Sequence, residues 1–195
     1  MNFAEFKALV IAQAEAMGIA DYELYYQAGE STSVSAFQHS INQFTDSTEG
    51  GVCFRCIVGG KMGYASTECL SAEEAVAVVN KAADNAATLE SEDPVFLGEG
   101  GQAYETMEPR QVELPATESL IQIALDAQKQ LLAADSAVMD TSMSECISER
   151  SEIAIYNSRG LDLSYANAIA GVVLAAVVTD GQEMADDYEV KLGQL

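Results

Sequence analysis

The first hydrophobic positions of the chain recur every three or four residues, which is the spacing of one face of an α-helix. They run from Phe3 to Met17, and Gly18 follows as a natural C-terminal cap. The pattern therefore predicts a first helix between these residues. Its apolar positions are Phe3, Phe6, Leu9, Val10, Ala14 and Met17.

From Asp21 to about Ala65 the pattern changes to an alternation of apolar and polar residues, which is typical of half-buried strands. Tyr22, Leu24 and Tyr26 lie on one face of the first strand. Turn-forming residues divide the stretch into about four or five predicted antiparallel strands. These turn signals are Gly29-Glu30, Asp46 to Gly51 and Gly59-Gly60.

A second helix is predicted after these strands. Ser71-Ala-Glu-Glu74 has the spacing of a capping box, in which the Ser71 hydroxyl accepts from the Glu74 N–H and the Glu74 carboxylate reaches back. The predicted buried stripe is Ala75, Val78, Val79, Ala82, Ala86 and Leu89.

Residues 90–116 break every regular period with prolines, carboxylates and the cluster Gly98-Glu-Gly-Gly101, so we interpret them as a flexible linker. Thr117 is the predicted cap of a third helix, and Asp180-Gly181 signals a hairpin. The predicted stripe of the third helix is Leu120, Ala124, Ala127 and Leu131. Strand-like runs follow at Val138 to Ile147, Ile153 to Tyr156, Leu161 to Ala166, Val172 to Val178 and Glu183 to Val190.

The order of one helix followed by about five strands thus occurs twice, which indicates an internal duplication. Ile41 to Val52 aligns without gaps on Leu161 to Val172. We predict an α+β fold with two similar subdomains, residues 1–90 and 117–195, joined by a linker at 91–116. Each subdomain is expected to contain a helix and an antiparallel sheet of about four to five strands. Only the first has a closing helix, so we expect the second to be truncated.

Composition narrows the class of function. The 195 residues contain 31 acidic and 9 basic side chains, for a formal charge of −22, which disfavours direct binding to nucleic acid. No apolar run reaches the roughly 20 residues of a membrane-spanning helix, and the N-terminus lacks the pattern of a signal peptide. We therefore expect a cytoplasmic protein with no membrane partner. Its four cysteines are expected to be reduced thiols: Cys53, Cys56, Cys69 and Cys146.

The residues of a hydrolytic site are largely missing from the sequence. A catalytic zinc needs three protein ligands, yet His39 is the only histidine and no HExxH segment occurs. We interpret His39 as a surface or hairpin residue, with a contact to substrate or partner as the alternative. A Ser or Cys nucleophile would need the same His39 as its base. We therefore predict no catalytic, metal or cofactor-binding residue in this chain.

Three further motifs have structural explanations. Cys53-Phe-Arg-Cys56 lies in a strand-like run, where residues three apart point to opposite faces and cannot chelate together. Gly98 to Gly101 precedes no helix and carries a carboxylate, which makes it a poor phosphate cradle. Glu183, Asp186 and Asp187 are expected to belong to a solvated acidic surface.

Six segments of the sequence together form a recognisable series: Asp21-Tyr-Glu-Leu-Tyr-Tyr26, Ser33-Val-Ser35, Gly51 to Ile57, Gly60 to Ser66, Tyr156 to Leu163 and Asp187-Tyr-Glu189. Taken in this order, they resemble the first two domains of the TldD/PmbA family, whose first domain has the pattern "A-E-V-Y … S-V-…-G-V-G-…-R-…-G-x-x-G-x-A-S/T". Ser66 to Ser71 is more similar to the PmbA (TldE) branch.

The resemblance implies a zinc metallopeptidase family, historically described as modulators of DNA gyrase, whose paired subunits act on peptides in an enclosed cavity. It also implies that zinc binds to an HExxxH motif in a C-terminal domain missing from this sequence. We therefore expect a non-catalytic N-terminal region that shapes peptide access and subunit assembly. Its expected partners are a peptide or unfolded protein substrate, and a second copy or a TldD-like subunit. The alternative is a free-standing acidic adaptor that binds a protein by strand addition or through a tyrosine-rich surface.

Overall fold

The computed structural model describes residues 1–91, 93–104 and 113–194, and in these ranges the chain forms three helices and six strands. The helices are α1 (Phe3–Ala16), α2 (Ala72–Thr88) and α3 (Thr117–Ala134). The strands are β1 (Asp21–Phe37), β2 (Ser40–Val58), β3 (Lys61–Thr67), β4 (Met143–Asn157), β5 (Asp162–Thr179) and β6 (Met184–Gln194).

The strands form one antiparallel sheet in the order β3-β2-β1-β4-β5-β6, which confirms the predicted α+β class. Hairpins join successive strands at the two predicted glycine turns. Val58 pairs with Lys61 around Gly59 and Gly60, and both glycines have positive φ. Thr179 pairs with Met184 around the turn that contains Gly181.

The strands are fewer and longer than predicted, because Gly29, Gly50 and Gly51 lie inside strands rather than in turns. A Cβ on Gly50 would approach the Gln27 carbonyl oxygen to 3.0 Å, and one on Gly51 would approach the Thr67 carbonyl oxygen to 2.9 Å. Glycine within a strand often marks such a close approach of backbones. Gly50 and Gly51, which we had interpreted as turn residues, therefore allow neighbouring strands to pack closely.

The described chain divides into two compact units, each of which has its own core. The first unit includes Met1–Ala28 and Glu152–Ala166, with α1, α2 and β3. Its helices cover one face of its part of the sheet. The buried core consists of Phe6, Val10, Ala14, Ile19, Tyr22, Leu24, Val52, Phe54, Cys56, Ala75, Val78, Val79 and Ala82.

The second unit contains Gly29–Thr48, α3, the adjoining part of β4 and residues 167–194. Leu120 and Ala124 of α3 pack with Val34 and Cys146 of the strands. β1, β2, β4 and β5 each contribute residues to both units, so the units are not the two halves of the chain. The division of the chain into subdomains at residues 1–90 and 117–195 remains a prediction.

Local capping explains where the helices begin, and it differs in detail from the prediction. Asn2 and Glu5 form a full capping box at α1, which we did not predict. At α2 the Ser71 hydroxyl accepts from the Glu74 N–H at 3.1 Å, as predicted. The Ser71 N–H, however, donates to the Cys69 carbonyl, so it is not the partner of the Glu74 carboxylate. The prediction that Thr117 caps α3 is wrong, because the N-cap position is Ala116.

Candidate functional site

A polar cluster organises the turn that follows β4. Asn157 is buried at the end of this strand, and its Oδ1 accepts from the N–H groups of Arg159 at 2.9 Å and Leu161 at 3.0 Å. Its Nδ2 donates to Glu23 Oε2 at 3.2 Å and to the Gly98 carbonyl at 2.8 Å. One amide side chain therefore links the turn, β1 and the glycine-rich segment.

Glu23 provides the buried charge of this cluster. Its side chain is only 5% exposed, and its Oε1 lies 2.5 Å from Arg55 Nη2 on the neighbouring strand β2. A buried carboxylate needs such partners, because desolvation of an unpaired charge costs several kcal/mol. Glu23 and Arg55 alternate with the core residues Leu24 and Phe54, so they lie on the sheet face opposite the helices.

The glycine-rich segment is packed rather than free, so its interpretation as a flexible linker is wrong for residues 97–101. Leu97 is only 3% exposed, and the Gly100 N–H donates to the Arg159 carbonyl at 3.0 Å. A Cβ on Gly100 would lie 2.1 Å from the backbone of Gly160. The glycine is therefore needed for a close backbone approach to the β4–β5 turn, and not for a phosphate.

Arg159 adds an exposed charge network to this turn. Its Nε donates to Asp21 Oδ1 at 2.9 Å, and its Nη1 lies 3.6 Å from Glu99 Oε1. The hydrogen bond and charge of Asp21 raise the pKa of the Arg159 guanidinium, so it stays cationic at all relevant pH values. The network links the turn to β1 and to the glycine-rich segment through exposed charge contacts.

A groove of about 730 Å³ opens in the first unit. Its volume lies in the range of small-molecule and peptide sites. Glu49, Glu68 and Glu74 contribute carboxylates, and none of the described lining residues is Lys or Arg. The groove therefore favours a cationic ligand. The full lining is Tyr25, Gln27, Glu49, Gly50, Gly51, Val52, Cys53, Ser66, Thr67, Glu68, Cys69 and Glu74.

The thiols of the CxxC segment point to opposite faces of β2, as predicted. Cys53 pairs with Ser66 and lines the groove, whereas Cys56 pairs with Gly63 and is buried in the core. Burial raises the pKa of both thiols, which keeps them protonated and weakly nucleophilic near neutral pH. Cys69 is exposed, and Cys146 is buried in the core of the second unit.

His39 lies in the tight turn between β1 and β2, where it and Gln38 have positive φ. Its side chain is exposed, and its backbone N–H donates to Gln128 Oε1 at 3.0 Å. Gln128 Nε2 in turn donates to the Ser142 carbonyl at 2.9 Å. We did not predict a role for Gln128. The buried stripe of α3 consists of Leu120, Ala124 and Gln128, whereas Ala127 and Leu131 of the predicted stripe are only half-buried.

The remaining acidic candidates do not form a metal site. Asp186 and Asp187 are exposed on β6, and Glu183 lies in the turn before it. Within the described residues, no group of three or more His, Cys, Asp or Glu side chains could hold a metal ion. The described donor set therefore does not fit the zinc of a metallopeptidase. None of the described helices is both long and apolar enough to cross a membrane.

The fold and the groove define an α+β protein with a helix-covered antiparallel sheet. Comparison with known proteins specifies it further. The profile of PmbA/TldA metallopeptidase domain 1 matches residues 22–86, and that of the PmbA/TldA metallopeptidase central domain matches residues 112–193. The chain belongs to the PmbA/TldD family. No curated protein sequence is significantly similar to it.

Solved structures show the same fold. A Thermotoga maritima protein described as a modulator of DNA gyrase superposes with a TM-score of 0.83 at 20% identity, over 99% of this chain and 44% of its own. TldE from Thermococcus kodakarensis gives 0.83 at 17% identity, over 95% and 42%. A modulator of DNA gyrase from Bacteroides thetaiotaomicron gives 0.82 at 14% identity, over 97% and 44%. The chain therefore spans less than half the length of these proteins.

Proposed function

We propose that these 195 residues form the non-catalytic N-terminal region of a cytoplasmic TldD/PmbA-type metallopeptidase, where they shape peptide access and subunit assembly. The substrate in this proposal is a peptide or unfolded protein. The assembly partner is a second copy or a TldD-like subunit. Hydrolysis and its zinc are assigned to a C-terminal domain outside this chain.

The groove of the first unit is the observation that carries the proposal. It is open, and Gly50, Gly51 and Thr67 form part of its wall beside the carboxylates of Glu49 and Glu68. Such a surface can contact an extended peptide without cleaving it. Cleavage requires an activated water or nucleophile, and the Cys53 thiol has a raised pKa and no histidine in the groove lining to act as its base.

Peptide binding tests the access role. We expect an unstructured labelled peptide of Gly, Ser and Arg to bind at low salt and to be displaced by salt. Glu49→Gln with Glu68→Gln should weaken binding about fivefold, since two exposed charge contacts contribute about 1 kcal/mol together. The control pair Asp84→Asn with Glu90→Gln removes the same charge from exposed positions outside the lining. An equal loss in both pairs would contradict a role for the groove.

Activity and assembly are tested separately. The purified chain should cleave no unstructured peptide, with or without added zinc. Zinc-dependent turnover that a chelator abolishes would contradict the non-catalytic proposal. Sedimentation should detect association of the chain with itself or with a TldD-like subunit, and a strictly monomeric mass in both cases would contradict the assembly role.

The alternative of a free-standing acidic adaptor is favoured by one specific observation. Strand β6 is exposed from Met184 to Gly193 and is the last strand of the sheet that the described residues form. Binding of a partner segment to that strand, without any effect of the groove substitutions, would favour the adaptor.

A further inference from the structure

Arg55 lies beside the groove of the first unit and has more hydrogen-bond donors than acceptors. It follows the groove residue Cys53 by two positions on β2, so both side chains lie on the same face of the strand. Glu23 is its ion-pair partner among the described residues, with Oε1 at 2.5 Å from Arg55 Nη2. The Nε atom is buried and has no hydrogen-bond partner in the described part of the chain. The guanidinium therefore has donors to spare, and the buried one points to an acceptor from outside the described residues.

A buried support holds the Arg55 side chain in place. Glu23 is only 5% exposed, and Asn157 Nδ2 donates to its Oε2 at 3.2 Å. The same amide group donates to the Gly98 carbonyl at 2.8 Å, which fixes Asn157 in turn. The Arg55 side chain itself is 41% exposed. A guanidinium that is held on one side and exposed on the other is preorganised for a second carboxylate.

Carboxylates mark the other end of this side of the groove. Glu68 lies over Gly51, because a Cβ on Gly51 would come within 3.6 Å of Glu68 Cγ. Glu49 and Glu68 line the groove and form no ion pair with any residue that the structure describes. Glu74 is the third lining carboxylate, but Lys81 lies 3.9 Å from it. Glu49 and Glu68 are therefore the charges best placed to attract a cation.

The spacing of these two ends fits a short extended peptide. Gly51 and Arg55 share one face of β2 and are four positions apart, which is about 13 Å along a strand. A fully extended tetrapeptide has about the same length. Between the two ends, burial raises the pKa of the Cys53 thiol, while the charge of Arg55 lowers it and that of Glu23 raises it. The ion pair is thus close enough to act on the interior of the groove.

We infer that the groove binds a free oligopeptide of about four residues by both of its charged ends. The terminal amine pairs with Glu49 and Glu68, and the terminal carboxylate accepts hydrogen bonds from Arg55. Such a site prefers a peptide that has already been cut from a longer chain over an internal segment, which lacks both charges. The inference rests on the proposed contact between the groove and peptides, and it adds the class and the direction of the peptide.

The unlabelled tetrapeptide Gly-Ser-Gly-Ser is the direct probe, titrated at low salt into the isotope-labelled chain of 195 residues. We expect saturable NMR shifts of the Cys53 and Glu68 amides. Acetylation of the amine or amidation of the carboxylate should each weaken binding about threefold to tenfold, because each removes one charge contact. The dipeptide Gly-Ser should also bind more weakly, because it is too short to reach both ends.

Substitutions on the chain assign the carboxylate contact. Arg55→Gln with Glu23→Gln removes both charges of the pair, so no buried charge is left unpaired. This variant should bind the free and the amidated tetrapeptide equally well. The control is Arg150→Gln with Glu30→Gln, which removes another Arg–Glu pair outside the lining and should keep the preference for a free carboxylate. Circular dichroism checks that each variant retains the fold.

The comparison of peptides on the wild-type chain decides the question even if a variant does not fold. Equal binding of the free, acetylated and amidated tetrapeptides would overturn the inference. If the longer peptide of Gly, Ser and Arg then still depended on Glu49 and Glu68, the proposed access role would stand without it. Failure of both the tetrapeptide and the longer peptide to bind would contradict the two proposals together.

Discussion

Asn157 Nδ2 lies 3.2 Å from Glu23 Oε2, although 134 positions separate the two residues in the sequence. The contact joins the end of β4 to β1 at a buried point of the first unit. Asn157 also accepts from two N–H groups of its own turn. The residue therefore couples the shape of the β4–β5 turn to the buried charge of Glu23.

Replacement of Asn157 should be costly for this reason. Asn157→Ala removes four hydrogen bonds and leaves Glu23 with fewer partners in a buried site. We expect a loss of about 2–4 kcal/mol in the free energy of unfolding, measured by urea denaturation. Asn85→Ala, which removes one exposed bond to the Tyr64 carbonyl, is the control and should cost about 1 kcal/mol or less. Equal costs would show that Asn157 has no special structural role.

Gly100 supports a second prediction about the same turn. Gly100→Ala would place a Cβ 2.1 Å from the Gly160 backbone, so the segment that contains Leu97 must move away from the turn. We expect destabilisation of about 1–3 kcal/mol and faster proteolysis of this segment. Gly98→Ala is the matched control, because its Cβ would lie at an ordinary 3.7 Å from Leu161 Cδ1. If Gly100→Ala changed neither the free energy of unfolding nor the rate of proteolysis, the close packing of Gly100 against Gly160 would be contradicted.

The sequence allowed the elements with strong local signals to be predicted. The helices, the Gly59-Gly60 turn and the Asp180-Gly181 turn follow from period and glycine chemistry. The turn at Gln38 and His39 had a weaker signal: His39 was interpreted as a surface or hairpin residue, but no Gly, Asn or Asp marks this turn. Gly50 was interpreted as part of a turn because glycine is common in turns. Its actual role is close packing against β1, which the local sequence does not reveal because the neighbour is distant in sequence.

The candidate site was harder to predict than the fold, because its contacts are mostly long-range. Asn157-Ser-Arg-Gly160 has turn chemistry, so the local bonds of Asn157 had a detectable signal. Its bonds to Glu23 and Gly98 had none. Gln128 was overlooked because a polar residue interrupts the apolar stripe of α3, and its partners lie in a turn and a loop. The groove has no local motif at all.

Gln128 itself gives a third prediction. Gln128→Leu keeps a similar volume but leaves the His39 N–H and the buried Ser142 carbonyl without their partner. We expect a cost of about 1–3 kcal/mol in the free energy of unfolding, with faster hydrogen exchange of the His39 amide. Gln122→Leu on the exposed face of α3 is the control, and its effect should stay within about 0.5 kcal/mol. An unchanged rate of hydrogen exchange at the His39 amide would contradict the proposed link from His39 through Gln128 to Ser142.

The buried thiol of Cys56 predicts how stability changes at alkaline pH. Burial raises its pKa from 9.0 to about 11 in the folded state, so the folded chain holds the thiol proton more tightly than the unfolded chain. The resulting stabilisation is complete below pH 9 and is lost as pH rises from about 9 to about 11, by roughly 2–3 kcal/mol in total. We expect urea denaturation across this pH range to show a smaller loss in the free energy of unfolding for Cys56→Ala than for the wild type. The comparison is made after the cost of the cavity, measured at pH 7, is subtracted. Cys69→Ala, at an exposed thiol, should keep the wild-type slope, and identical slopes in all three proteins would refute the assignment to Cys56.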